Sequence, residues 1–207
     1  MTVKAIMFDL GGVIIEFDYT RFFNDVIVIS PLHKPDTLLL LEFWRQSDIY
    51  HQGKISDEEF YKQTCELLQV CALNQQEFFD SFNSVLAERN EEIIQLIRKV
   101  RYMNKYKLIL LSNINASHWE YLLDTKWDFI EYFDEFILSH QEKISKPNPK
   151  IFRLAIERAG CKPEEIVYVD DGLNNIKNAE KLGIMGIKYT TPNQLEAEFR
   201  RLQILLH

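Results

Sequence analysis

Residues 3–13 read VKAIMFDLGGV and join an apolar run to an acidic turn. The run over 3–8 has the length and composition of a strand that is covered on both faces of a parallel sheet. Asp9 follows it, and Gly11 and Gly12 then favour a tight turn whose backbone N–H groups can approach an anion. A carboxylate beside such a turn is a candidate nucleophile. The alternative is a strand-end residue that caps the turn.

More apolar runs alternate with helical patterns along the rest of the chain, which predicts an α/β fold. We expect a Rossmann-like, doubly wound parallel sheet with strand order 3-2-1-4-5. The later strands are predicted at 108–111, 135–138, 166–169 and, more weakly, 184–187. The helices are predicted at 91–101, 149–159 and 175–182, the last ending at Gly183 as a helix C-cap does.

The stretch 18–88 breaks this alternation. It is rich in Phe, Leu, Glu and Gln and contains no convincing strand. Ser56 and Glu59 form a capping-box pattern that predicts a helix over 57–69, and a second helix is expected from Asn74 to about residue 86. We therefore predict an α/β core of residues 1–17 and 89–207 with a helical cap of residues 18–88 inserted after the first strand. Such a cap would lie above the strand ends where open α/β sheets bind ligands.

Composition excludes several classes of protein. The 207 residues carry 24 Lys and Arg against 31 Asp and Glu, a net charge of −7 that argues against a nucleic-acid partner. The three cysteines are odd in number and show no CxxC spacing, so a disulfide framework is not expected. No apolar stretch approaches the ~20 residues of a membrane span. We expect a cytoplasmic protein that is a monomer or weak homodimer, with no membrane partner and an N-terminal strand rather than a signal peptide.

Polar residues follow the other predicted strands at the points where they end. Ser112–Asn113 follow the second strand, Lys146 comes after the third, and Asp170–Asp171 end the fourth. Parallel strand ends meet at one edge of a sheet, so these residues are expected to converge on Asp9. Adjacent carboxylates repel unless a cation neutralises them, and Mg²⁺ takes one or two carboxylates. The alternatives are helix caps for the polar pairs and a solvated loop charge for Lys146.

In their joint order these segments resemble the haloacid dehalogenase (HAD) superfamily. FDLGGVI at 8–14 is similar to its first motif, LSN at 111–113 to its second, Lys146 of SKPNPKIF to its third, and VDDGLNNI at 169–176 to its fourth. HQGKISDEEF at 51–60 is similar to the helical cap that one subgroup carries between the first two motifs. The resemblance covers essentially the whole chain.

The resemblance implies a Mg²⁺-dependent phosphatase that hydrolyses a small phosphomonoester, a sugar phosphate such as glucose 1-phosphate, through an aspartyl-phosphate. Asp9 would be the nucleophile and Lys146 would balance charge. The implied Mg²⁺ ligands are Asp9, the backbone oxygen of Gly11, Asp171 and, directly or through water, Asp170. The implied substrate-binding residues are Gly11, Gly12, Ser112, Asn113 and Lys146.

One position departs from the family pattern. The family has Asp-x-Asp in its first motif, and the second Asp protonates the leaving oxygen; here that residue is Gly11. General acid–base help is typically worth ~10²–10⁴-fold. Three outcomes are open: a substrate with a good leaving group such as an anomeric or acyl phosphate, a different acid such as Asp18 or Glu16, or a slow enzyme.

Two other functions remain as alternatives. The first is a metal-independent 2-haloacid dehalogenase, against which the Asp170–Asp171 pair speaks. The second is a catalytically weak module that binds phosphorylated metabolites, which Gly11 favours.

Several other residues have ordinary explanations. His51, His118 and His140 lack metal-ligand spacing and are expected on the surface or in loops, whereas most Trp and Phe side chains are expected in the core. In the cap, Arg45 and Lys54 are candidates for substrate specificity.

Overall fold

Five parallel strands form the central sheet, in the order β5-β4-β1-β6-β7. The structure, a computed structural model, describes residues 2–32 and 36–205 of the chain. Counted along the core alone, this is the predicted order 3-2-1-4-5, and the α/β fold class is confirmed. The strands are β1 (Ala5–Phe8), β2 (Ile15–Phe17), β3 (Leu86–Arg89), β4 (Lys107–Ser112), β5 (Glu135–Leu138), β6 (Ile166–Asp170) and β7 (Met185–Lys188).

Helices cover both faces of this sheet and also form the inserted cap. They are α1 (Tyr19–Ile29), α2 (Thr37–His51), α3 (Asp57–Leu68), α4 (Gln75–Asn83), α5 (Glu91–Tyr102), α6 (Ala116–Asp124), α7 (Ser139–Glu142), α8 (Pro149–Ala159), α9 (Leu173–Glu180) and α10 (Pro192–Arg201). Short 3₁₀ turns lie at Asp128–Tyr132 and Pro163–Glu165. Within the two described ranges, no helix is long and apolar enough to cross a bilayer.

Strand β1 shows why the sheet is doubly wound. Its successive side chains point to opposite faces. Ile6 and Phe8 pack in one apolar cluster, whereas Ala5 and Met7 pack in another on the opposite face. Helix α5 contributes to the first cluster and helix α8 to the second. A strand buried on both sides must be apolar throughout, which is the pattern that predicted it.

Strand register positions the polar residues at the sheet edge. Phe8 pairs with Leu110 of β4 on one side and with Val169 of β6 on the other. Asp9 therefore leaves the sheet beside Asp170, and the Asp9 backbone N–H donates to the Val169 carbonyl at 2.9 Å.

The cap helices α1–α4 bury a third apolar cluster, which is made mainly of aromatic rings. Both predicted helix starts are confirmed, because Ser56 with Glu59 and Asn74 with Glu77 form reciprocal capping boxes. Phe22, Phe43, Phe60, Phe78 and Phe82 are fully buried there.

The end of the cap differs from the sequence-based expectation. Helix α4 ends at Asn83, not near residue 86, and Leu86 begins β3, which pairs antiparallel with β2. The expectation of no strand in 18–88 was therefore wrong at its C-terminal end. These strands are too short to show alternation, and their partners lie far apart in sequence. The chain passes between sheet and cap helices at this ribbon, so we keep residues 18–88 as the proposed bounds of the cap.

Candidate active site

Three carboxylates and one lysine meet at the carboxyl edge of the sheet. Lys146 Nζ lies 2.7 Å from Asp9 Oδ1 and 2.8 Å from Asp170 Oδ2. Asp9, Asp170 and Asp171 each bring a carboxylate oxygen within 4.8 Å of the others. The strand ends thus bring together the acidic residues and the lysine that the sequence placed at this edge.

Asp9 is held in one orientation by its neighbours. Its Oδ1 accepts the Leu10 backbone N–H at 2.7 Å as well as the Lys146 ammonium. Burial raises the pKa of Asp9 to about 7, although the Lys146 ammonium pulls that pKa downward. The fixed orientation leaves Oδ2 as the oxygen that can turn toward a ligand.

Asp170 is the most enclosed of the three carboxylates and is fully buried. It accepts hydrogen bonds from the Gly172 N–H at 2.7 Å, from Asn175 Nδ2 at 3.0 Å and from the Tyr168 hydroxyl. Burial acts to raise the pKa of Asp170, but attraction to Lys146 together with the hydrogen bonds from Lys146, Tyr168 and Asn175 outweighs it, and the pKa lies below its usual value. The N-cap residue of α9 is Gly172, so neither acidic residue of the pair is that cap.

Lys146 is buried between these carboxylates, and this excludes the alternative of a solvated loop charge. Burial acts to lower its pKa, but attraction to Asp9 and Asp170 raises it further, so the ammonium stays charged. Asn113 fixes the Lys146 backbone from both sides: its Nδ2 donates to the Lys146 carbonyl at 2.9 Å, and its Oδ1 accepts the Lys146 N–H at 2.8 Å. Asn113 thus positions Lys146, and its contact with a phosphoryl group stays a prediction, as does that of the buried Ser112.

The two glycines after Asp9 make room for different side chains. Gly12 has φ of 70°, and a Cβ there would lie 2.5 Å from Asp171 Oδ2. A Cβ at Gly11 would lie 3.0 Å from the ring of Phe17. The position where the family carries its second acid is therefore packed against an aromatic ring.

The donor set fits a hard divalent cation. All three side chains offer carboxylate oxygens, which suit Mg²⁺, Ca²⁺ or Mn²⁺ rather than softer metals. Within residues 2–32 and 36–205, one ammonium forms ion pairs with this set, that of Lys146, and it contacts Asp9 and Asp170. Burial and the charge of Asp170 raise the pKa of Asp171, the exposed member of the set. Such crowding of negative charge is relieved by a cation.

The contacts of Asp18 do not support a role as general acid. Asp18 is the N-cap residue of α1, and its Oδ1 accepts the Thr20 N–H at 3.0 Å. Hydrogen bonds from Thr20 hold the pKa of Asp18 below its usual value, whereas an acid needs a raised pKa. The alternative, Glu16, is exposed on β2. Acid–base roles for both residues stay predictions.

The two cap residues proposed for specificity have different surroundings. Arg45 forms an exposed ion pair with Glu42, with an N–O distance of 2.6 Å. Lys54 lines a cleft at the boundary between cap and core, together with Tyr50 and Lys143.

The expectation that the histidines are surface or loop residues was wrong for His118, which is fully buried in α6. His51 and His140 are partly buried. Each of the three rings also contacts a residue distant in sequence, so no local pattern indicates their burial. Sequence reasoning also missed Tyr168 and Asn175, although Asn175 lies inside the fourth motif, where its position next to the acidic pair is a signal.

Comparison with known proteins identifies the family to which this chain belongs. The model of the haloacid dehalogenase-like hydrolase family matches residues 3–183. A D-ribitol-5-phosphate phosphatase from Bacteroides thetaiotaomicron is 30% identical over 192 residues, which cover 87% of this chain and 89% of that protein.

Solved structures agree with the sequence relatives. A HAD family enzyme from Bacteroides thetaiotaomicron, in complex with magnesium and inorganic phosphate, is 27% identical with a TM-score of 0.79, covering 91% of this chain and 94% of that one. A predicted HAD-like family hydrolase from Porphyromonas gingivalis is 28% identical with a TM-score of 0.76, covering 98% of this chain and 99% of that one. The chain therefore belongs to the haloacid dehalogenase-like hydrolases, and the resemblance drawn from the four motifs is confirmed.

Proposed function

We propose that this hydrolase is a Mg²⁺-dependent phosphatase that acts on a small phosphomonoester. The observation that carries the proposal is the buried contact of Lys146 with both Asp9 and Asp170, with Asp171 in reach of the same point. The relatives support it, since one is a D-ribitol-5-phosphate phosphatase and another was solved with magnesium and inorganic phosphate.

In this proposal Asp9 is the nucleophile. Asp9 Oδ2 attacks phosphorus, the bond from phosphorus to the ester oxygen breaks, and the released alkoxide takes up a proton from solvent water. Water then attacks phosphorus of the aspartyl-phosphate, which releases inorganic phosphate and restores the Asp9 carboxylate. The N–H of Leu10 and the ammonium of Lys146 hold Oδ1 in place. Phosphoryl transfer depends mainly on such positioning and on charge neutralisation.

Asp9, Asp171 and the backbone oxygen of Gly11 are the groups that we propose hold Mg²⁺. Asp170 already accepts hydrogen bonds at both oxygens, so we assign it a contact through water. When bound, the ion supplies positive charge to phosphoryl oxygens.

The substrate class follows from the absence of an acid at position 11. Gly11 has no carboxyl group to offer the leaving oxygen, and the ring of Phe17 lies 3.0 Å from the point where a side chain at that position would begin. A leaving group that departs without full protonation suits this site better. We propose a sugar phosphate, with the anomeric ester glucose 1-phosphate favoured over a primary alkyl ester such as ribitol 5-phosphate.

The test is phosphate release from glucose 1-phosphate and ribitol 5-phosphate, each with Mg²⁺ and with a chelator. We expect the wild-type protein to release phosphate with Mg²⁺ but not with the chelator, and to release it faster from glucose 1-phosphate. The Asp9→Asn variant should release no phosphate. Asp124→Asn, a matched change at an exposed position, should keep wild-type activity.

Two results would replace the proposal. Chloride release from a 2-chloro acid without metal would identify the dehalogenase alternative. Binding of sugar phosphates without turnover over a broad substrate panel would identify the binding module.

A further inference from the structure

Asn115 lies where the cap meets the core, and its side chain contacts two imidazoles. It is fully buried and is the N-cap residue of α6. Its Oδ1 accepts the His118 backbone N–H at 2.8 Å, which fixes the orientation of the amide. Its Nδ2 then lies 3.0 Å from His118 Nδ1 and 3.3 Å from His51 Nε2.

The other nitrogen of each ring faces a backbone carbonyl of the cap. His118 Nε2 lies 3.2 Å from the Phe82 carbonyl of α4, and His51 Nδ1 lies 2.6 Å from the Ser47 carbonyl of α2. A carbonyl oxygen only accepts, so both of these nitrogens carry hydrogen. The ring nitrogens that face Asn115 then carry lone pairs, and each accepts one of the two hydrogens of the Asn115 amide. Both imidazoles are therefore neutral, with opposite tautomers.

The surroundings keep the rings neutral. Burial lowers the pKa of both imidazoles, that of His118 to about 3. The titratable neighbours of His51 are Asp48 on its own helix, His140 on α7 and His118 on α6. A second proton on either ring would set an N–H against the Asn115 amide hydrogens.

This cluster is continuous with the segment that follows β4. Ser139 Oγ donates to the His51 carbonyl at 2.5 Å and accepts the Ile114 N–H at 3.0 Å. Ile114 follows Asn113, which holds the backbone of Lys146. Hydrogen bonds from cap helices α2 and α4 thus reach Asn115 and Ile114, and the backbone of residues 113–115 connects them to the residue that holds Lys146.

We propose that Asn115, His51 and His118 form a latch that holds the cap closed over the sheet edge and positions the segment 112–115. The latch depends on the proposed function in one respect: that proposal makes the covered sheet edge the catalytic site. Its members are positioning residues, and they work through the donor of Asn115 and the two imidazole lone pairs.

The first test is the ¹⁵N spectrum of the histidine side chains at pH 7. We expect His118 protonated at Nε2 and His51 protonated at Nδ1, both neutral. Packing alone places no demand on these tautomers. A cationic ring, or the opposite tautomer at either residue, would overturn the latch.

The second test is Asn115→Asp, which keeps the helix cap and the size of the side chain but replaces the donor with an acceptor. Spin labels on the exposed Cys71 of the cap and on Cys161 of the core report cap position, in a shared Cys65→Ala background. We expect one closed distance in the parent and an open-to-closed ratio raised at least ~10-fold in Asn115→Asp, since two buried hydrogen bonds are lost. Both proteins are measured at pH 9, which keeps the imidazoles neutral beside the new carboxylate.

The matched control is Asn178→Asp, because the exposed Asn178 amide donates to the Asn174 carbonyl within α9, away from the cap. It should leave the distance unchanged. If Asn115→Asp does not fold, His51→Leu removes one lone pair instead. A parent-like distance in a folded variant would overturn the proposal. Neither test uses turnover, so an inactive wild type would refute the proposed function and leave these readings to decide the latch.

Discussion

The sheet edge and the interior of the cap are both buried, but they contain opposite chemistry. At the sheet edge, Lys146 lies within 2.8 Å of two carboxylates that are shielded from water. In the cap, aromatic rings pack on one another, for example Tyr50 on Phe60 with ring centroids 4.3 Å apart. Burying ions costs desolvation energy that apolar packing does not. The difference agrees with the proposed catalytic role of the sheet edge, whereas the packing of the cap interior contributes stability.

Lys146→Met tests this difference with the largest expected effect. Removing the ammonium leaves two buried carboxylates close together, so we expect a loss of about 3–5 kcal/mol in unfolding free energy together with loss of phosphate release. Urea unfolding in a chelator measures the stability. Arg200→Met, which breaks an exposed pair with Glu196, should cost at most about 1 kcal/mol. Equal costs in the two variants would contradict the account of the sheet edge.

Phe60→Ala is the corresponding change in the cap. Phe60 is fully buried among aromatic rings, so its loss should cost about 3–5 kcal/mol. The loss should fall on the cap: amide exchange should speed up in α3 and α4 while β1 stays protected. Faster exchange in β1 to the same extent would show that cap and sheet unfold as one unit.

His118 predicts how stability depends on pH. Burial lowers its pKa in the folded state to about 3 from an ordinary 6.5. Between these values the unfolded chain binds a proton that the folded chain does not, so stability falls as pH falls from 6.5 toward 3. Going from pH 8 to pH 5 should cost about 2 kcal/mol through this residue. Urea unfolding of His118→Gln should lack that part of the loss, and an unchanged pH dependence would refute the assignment.

Gly12→Ala is expected to change stability least among these variants. Comparing it with Gly160→Ala distinguishes the cost of backbone strain from an effect on the proposed active site. Both Gly12 and Gly160 have positive φ, but a Cβ at Gly160 meets no atom of the described residues within 4 Å, whereas at Gly12 it meets Asp171. Each Ala variant should lose about 1–2 kcal/mol from strain. Gly12→Ala should weaken Mg²⁺-dependent activity by at least ~10-fold, whereas Gly160→Ala should leave that activity unchanged. Equal activities would show that Asp171 does not need its present position.

The sheet and the acidic cluster were predictable from sequence because strands buried on both faces are apolar runs, and an aspartate directly follows β1 and ends β6. Parallel pairing then brings those ends together. The prediction included Asp9, Lys146, Asp170 and Asp171, because each lies at or after the end of a strand that its apolar run identifies.

The features that sequence could not provide depend on contacts between distant segments. His118 is buried because Asn115 and the Phe82 carbonyl accommodate its ring, and one of these partners lies in the cap. Strands β2 and β3 are too short for their pattern to be visible. The role of Asn113 depends on the backbone of Lys146, which follows another strand.

Rapid acid quenching of the wild-type protein during turnover of glucose 1-phosphate with Mg²⁺, followed by peptide mapping, tests the central claim most directly. The account predicts a phosphoryl group on the Asp9 carboxylate that forms and decays during turnover. Phosphate release with the phosphoryl group on another residue, or with no phosphorylated residue at any quench time, would contradict it.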